Sequence, residues 1–223
     1  MREIPFFAGY MWNAPVVSVF FLAVLLSGSA MAQFPFVKYS DNPVLLKGEY
    51  PEWNYIANSD PFLILDNDTL KMWFTGCGTL MPDTILRPWI GYAWSMDGIN
   101  WTMHPDNPVF GHSASGWDSF STETVSILKR QDAPPEKRYM MWYAGAEDDE
   151  MYDIGLAYSP DGYQWTRFEN NPVIVKGDSS SWKHVIEGPC VIAVEDTLRM
   201  WFAGADSIAS GQPTDFRGSI GYA

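Results

Sequence analysis

The stretch YMMWYAGAEDDEMYDIGLAYSPDGYQWTRFENNPVI, residues 139–174, decides the fold, because most of it recurs elsewhere in the chain. Its Met141-Trp-Tyr block has counterparts at Met72-Trp-Phe and Met200-Trp-Phe, each closed by a glycine (Gly145, Gly76, Gly204). Ile154-Gly-Leu-Ala returns as Ile-Gly-Tyr-Ala at Ile90 and at Ile220, and Ser159-Pro-Asp-Gly-Tyr-Gln-Trp165 matches Ser95-Met-Asp-Gly-Ile-Asn-Trp101. Asn-Pro-Val begins at Asn42, Asn107 and Asn171, offsets of 65 and 64 residues. A tryptophan follows in each copy (Trp53, Trp117, Trp182), ahead of an apolar run. One unit is therefore written three times, which points to a radial or stacked repeat architecture.

Each unit reads as four short strands. The first is expected near Asp60–Leu65, Val125–Leu128 and Cys190–Val194, and the second is the Met-Trp-aromatic block. The third is the Ile-Gly motif, and the fourth begins at Trp101 or Trp165. Asp97-Gly98 and Asp161-Gly162 supply the hairpin turn between strands three and four. Several strands are apolar at consecutive positions, as expected when both faces of a sheet are covered. Four-stranded sheets repeating around an axis make a β-propeller, an all-β fold, whereas a stacked solenoid usually holds fewer strands per repeat. Residues 36–45 align without a gap on 101–110 and 165–174, so residues 36–39 read as an orphan fourth strand. Such a strand completes the last blade of a ring and covers its open edge. The chain ends at Ala223, within the third strand of the third copy, so ring closure expects further repeats beyond it.

Composition narrows the function. Hydrophobic residues make up 47% of the chain, which excludes general disorder, and the 16% aromatic share includes eleven tryptophans. Acidic residues number 27 against 14 basic, a net charge of −13 that disfavours nucleic acid and anionic membranes. Arg2 is followed by an uncharged apolar run from Val16 to Leu26 and by small residues at Ala30 and Ala32. The run is short of the ~20 residues a membrane span needs. Residues 1–32 read as a signal peptide and 33–223 as a secreted or periplasmic propeller with no membrane span after cleavage. Its blades fall at about 42–106, 107–170 and 171–223. Cys77 and Cys190 do not make a disulfide framework, and Cys190 reads as a small buried residue in an apolar run. No cofactor or metal is implied, since no Cys–His spacing suggests zinc.

In a propeller the first strand of each blade lines the central channel. Aligned from the repeat tryptophan, each copy offers one carboxylate where that strand opens: Asp60, Glu123 and Glu187. Asp-Pro and Glu-Gly-Pro are also turn dipeptides, so turn chemistry is the competing account. Cleaving a glycosidic bond needs a protonated carboxyl under the leaving oxygen and an ionised one across the anomeric carbon. Crowded like charges raise the pKa of at least one, which keeps an acid protonated near neutrality. Trp53 and Trp117 suit either sugar stacking or packing, and recurrence in every copy favours packing. His184 and Arg87 are candidate hydroxyl contacts, with a structural role the competing account for His184, and Arg217 is a further one. The loops 77–88, 145–153 and 205–218 vary while the strands repeat, as specificity loops do.

The repeats, with Ser59-Asp60-Pro61 and Glu187-Gly188-Pro189, resemble the five-bladed β-propeller glycosidases, chiefly glycoside hydrolase family 43 and relatives such as family 32. The resemblance implies a five-bladed ring, about three blades of it in this chain, and a carbohydrate substrate, for instance one with furanoside units. It implies Asp60 as base or nucleophile, Glu187 as general acid and Glu123 as the middle acid that adjusts them. That middle acid is usually aspartate in the family, and Glu123 departs from it. Catalytically silent propellers share the same repeat, so a carbohydrate-binding or surface interaction module is the alternative function.

Overall fold

In the computed structural model, residues 37–79, 85–147, 152–206 and 218–223 are described; residues 1–32, expected to be a signal peptide, lie outside them. The chain divides into residues 1–42 and 43–223. In the first unit, Val37–Tyr39 are not in a strand, and a turn follows in which Asn42 Nδ2 donates to the Tyr39 carbonyl at 2.7 Å. The orphan strand expected at 36–39 is thus not formed over its described residues. A strand exists only through ladder partners, and none pairs with these residues here.

In the second unit the described residues form three antiparallel sheets and no α-helix. The first holds β1 (Ala57–Asp66), β2 (Thr69–Gly78), β3 (Arg87–Ser95) and β4 (Thr102–Met103) in chain order. The second repeats this with β5 (Ser121–Lys129), β6 (Tyr139–Ala146), β7 (Tyr152–Ser159) and β8 (Thr166–Arg167). The third contains β9 (Val185–Val194), β10 (Thr197–Ala205) and β11 (Gly218–Tyr222). This is a propeller-like all-β arrangement, with no sheet closed on itself among the described residues.

Each repeated motif has a physical task. The motif tryptophan lies across the two motif glycines of its own unit: Trp53 on Gly76 and Gly91, Trp117 on Gly145 and Gly155, Trp182 on Gly204 and Gly221. A Cβ at any of the six would come within 3 Å of an indole atom, so only glycine leaves room for the ring. The Asn of Asn-Pro-Val stands in for a missing strand residue. Asn107 accepts from Tyr92 N at 2.8 Å and donates to Tyr92 O at 3.0 Å. Asn171 does the same for Leu156, with both distances 2.8 Å. In Ser-x-Asp-Gly, the Asp97 carboxylate accepts from the backbone of Ile99 and Asn100 while Ser95 Oγ accepts from Gly98 N. Asp161 and Ser159 repeat the pattern, so both segments are hairpin turns as expected.

The core lies between sheets. Trp73, Ile90 and Tyr92 of the first sheet meet Ile127, Met141 and Tyr143 of the second, and Trp73 Nε1 donates to the Gly162 carbonyl at 2.7 Å. Trp142, Ile154 and Leu156 of the second meet Ile186, Val191, Met200 and Phe202 of the third. At one end of the first interface Asp66 binds Lys71 at 2.8 Å, accepts from Tyr139 at 2.6 Å and pairs with Lys129. Among the described residues nothing covers the far face of the third sheet, and Cys190 sits on it exposed rather than buried. The apolar run around Cys190 alternates sides, and only Val191 and its face meet the second sheet.

Candidate functional site

The innermost strands begin earlier than expected, at Ala57, Ser121 and Val185, which puts the three acids inside them. Each strand breaks register at the same place, between Ser59 and Phe62, Glu123 and Val125, and Glu187 and Cys190. These are β-bulges, where one extra residue is left unpaired and the strand bends. A bulge also tolerates Pro61 and Pro189, which cannot donate to a ladder. At all three, one residue turns to positive φ: Asp60 at 50°, Thr124 at 40° and Gly188 at 59°.

This alignment corrects the expected correspondence. Ser59, Glu123 and Glu187 are the equivalent residues, facing Thr75, Ala144 and Ala203 across their ladders. Asp60 is one residue later, on the left-handed residue itself. Spacing from the tryptophan misjudged this because Trp182 lies one residue closer to its strand than Trp53 and Trp117 do.

The bulges are stitched to one another. Thr124 N donates to Thr75 Oγ1 at 3.1 Å, and Gly188 N donates to Thr124 Oγ1 at 3.3 Å. The second and third bulges each free an N–H from their own ladder, and a threonine of the preceding sheet takes it. The acids thereby come within electrostatic reach. Burial raises the Glu123 carboxyl above its ordinary range, a hydrogen bond from Tyr152 lowers it, and the charges of Glu187 and Asp60 add to the rise. Glu187 is raised by its surroundings and then by Asp60, although its side chain reaches solvent. Asp60 is exposed, and Ser59 Oγ donates to its Oδ2 at 2.8 Å. Glu123 Oε1 is buried without a hydrogen-bond partner.

A pocket of about 260 Å³ opens beside Glu187, between Val185, Ala203, Ala205, Gly218 and Ile220. Among the described residues no group of three or more His, Cys, Asp or Glu is arranged to hold a metal ion.

The expected sugar contacts lie elsewhere. Trp53 is buried against Phe74 and its glycines, and Trp117 stacks on Tyr143 with ring centroids 5.5 Å apart. A ring whose face is filled by its own sheet offers no platform to a sugar. His184 is buried, its Nδ1 3.4 Å from the Gly177 carbonyl. Arg87 donates to the carbonyls of Ser119 and Phe120 at 3.1 and 3.3 Å, tying β3 to the segment entering β5. Arg217 and loop residues 80–84, 148–151 and 207–217 lie outside the described residues. Tyr152, Thr75 and Thr124 are the site residues that motif spacing did not reveal. Only the pairing across strands brings them to the acids.

No protein-family profile matches the sequence. Solved structures do. A glycoside hydrolase superposes at a TM-score of 0.64 with 20% identity, over 82% of this chain and 51% of that one. The GH32 β-fructofuranosidase of Bombyx mori gives 0.56 and 18%, over 77% and 34%. The fold is that of the propeller-type glycoside hydrolases. An N-acetylgalactosamine deacetylase from F. plautii, in complex with blood group B trisaccharide, also superposes, at 0.52 with 16% identity over 74% and 49%. The chain thus spans about half the length or less of the structures it matches, and the likeness is one of fold.

Proposed function

We propose that the protein is an extracytoplasmic glycoside hydrolase acting on oligo- or polysaccharide, with Glu187 as general acid, Asp60 as base or nucleophile and Glu123 between them. In this reading residues 1–32 are the export signal. Residues 42–106, 107–170 and 171–223 are three blades of a five-bladed ring. The observation that supports it is that three bulges at one level present three carboxylates in mutual electrostatic range, with Glu123 and Glu187 both raised. A raised, solvent-reaching carboxyl suits a proton donor to a leaving oxygen. Exposed Asp60, with its carboxylate held by Ser59, suits the ionised partner.

The test uses the full chain on arabinan, inulin and the 4-nitrophenyl arabinofuranoside and xyloside. Glu187→Gln is expected to slow turnover of the natural polymer by roughly 10²–10⁴-fold. It should hurt the aryl glycoside far less, since nitrophenolate leaves without a proton. Asp60→Asn is expected to abolish both. Equal loss on both substrates for Glu187→Gln removes its acid role, and activity untouched by either change leaves a carbohydrate-binding module.

A further inference from the structure

The two equivalent glutamates stand in different surroundings, and the difference traces to one residue. In the second sheet the row next to Glu123 runs Ser121, Ala146, Tyr152 across β5, β6 and β7. The Glu123 row itself runs Glu123, Ala144, Ile154. Directly opposed residues share a face, so Tyr152 lies diagonally from Glu123 with only the methyl groups of Ala144 and Ala146 between them. An aromatic side chain spans that distance. That brings the Tyr152 hydroxyl to the Glu123 carboxylate as a hydrogen-bond donor.

The other two sheets cannot make this contact. The matching rows are Ala57, Cys77, Pro88 in the first and Val185, Ala205, Gly218 in the third. Neither Pro88 nor Gly218 has a side chain able to reach an acid. The positions that Tyr152 and its row occupy in the second sheet line, in the third, the pocket beside Glu187. The repeat departs here at Glu123, whose Oε1 is, among the described residues, a carboxylate oxygen buried without a partner.

From this geometry, and resting on the hydrolase reading above, we propose that Tyr152 is a positioning residue: its hydroxyl holds the Glu123 carboxylate in place between Asp60 and Glu187. Loss of the hydroxyl leaves a buried carboxylate with neither oxygen bonded, which favours its protonated form. The groups that face Glu123 are Tyr152 on β7, Glu187 on β9, Asp60 on β1 and Cys77 on β2. None of them is cationic, so no charge replaces the lost donor.

The experiment is a carbon-13 titration of glutamate carboxyls in the full chain, wild type and Tyr152→Phe, with Glu123→Gln to assign the signal. Glu123 is expected to titrate at higher pH in Tyr152→Phe, with an unchanged fold by circular dichroism. An unmoved Glu123 titration overturns the proposal, whatever the activity. On any of the four test glycosides that is turned over, Tyr152→Phe is expected to lower kcat on the order of tenfold, as for loss of one hydrogen bond to a charged group. KM should hold while the acidic limb of the pH–rate profile moves up. A limb that stays put while the titration shifts also overturns the positioning role. No turnover by the wild type, with the titration shift intact, sinks the hydrolase reading and leaves the hold of Tyr152 on Glu123 standing.

Discussion

Carboxylates in this protein are held in two opposite ways, and stability should register the difference. Burial alone would raise Asp66, but hydrogen bonds from Lys129, Lys71 and Tyr139 outweigh it and hold its carboxyl well below the usual range. A depressed carboxyl stabilises the fold above its unfolded pKa, and that contribution is lost as pH falls through the folded one. Asp66→Ala leaves two lysines facing each other at an interface and is expected to cost about 3 kcal/mol at pH 7, measured by urea unfolding. The cost should shrink in acid. Glu123 and Glu187 carry the reverse sign. Their raised carboxyls favour the fold in acid, and that advantage is lost as pH rises through the folded pKa. Glu123→Gln and Glu187→Gln are therefore expected to raise Tm at pH 8 and to leave it nearly unchanged at pH 4. Sites kept for function at the expense of stability behave this way, and structural acids do not. A lower Tm at pH 8 for both variants would mean that these acids serve the fold.

At the scale of the element, most of the repeat was legible because its motifs are local. Tryptophan on two glycines, asparagine capping strand three and the Ser-x-Asp-Gly turn each act within one unit, and the tryptophan, the asparagine and the turn recur every 64 or 65 residues. Asn171 shows how much one such trace carries. Asn171→Ala strips a donor and an acceptor from the backbone of Leu156 at once and is expected to cost about 2 kcal/mol, whereas Asn107→Ala should cost a similar amount through Tyr92. Chemical unfolding of each variant checks both. What spacing could not show is the bulge. Pro61 and Pro189 read as strand openings because proline normally stands outside a ladder, yet the strands run through them. With the bulge hidden, Asp60 and Glu187 were matched as equivalents, and Tyr152 stayed out of sight because it meets Glu123 only through a strand that lies between them. Spacing singles out three acids, and only the ladder gives their register.

At the scale of the whole molecule, the three sheets differ chiefly in what covers them. Ile154 is fully buried and Leu156 7% exposed beneath the third sheet, while their counterparts Ile220 and Tyr222 are 73% and 63% exposed. Trp201, the counterpart of Trp142, stands beside Tyr222 on the same face, with Ile192 next to it. The second sheet shows what such a face requires: a neighbour bringing the equivalents of Ile186, Val191, Met200 and Phe202. In a five-bladed ring the next blade supplies them. Residues 33–223 expressed alone are then expected to associate through this face, since an uncovered apolar patch of aromatic and branched residues is a contact surface. Size-exclusion chromatography with light scattering should find oligomers, and Ile220→Glu with Tyr222→Glu should return them to monomer. The same double change within a longer chain that provides the next blade should instead unfold it, because two charges would be buried without partners. A monomeric, sharply melting 33–223 fragment would show the face to be stable in water and would remove the reason for another sheet there.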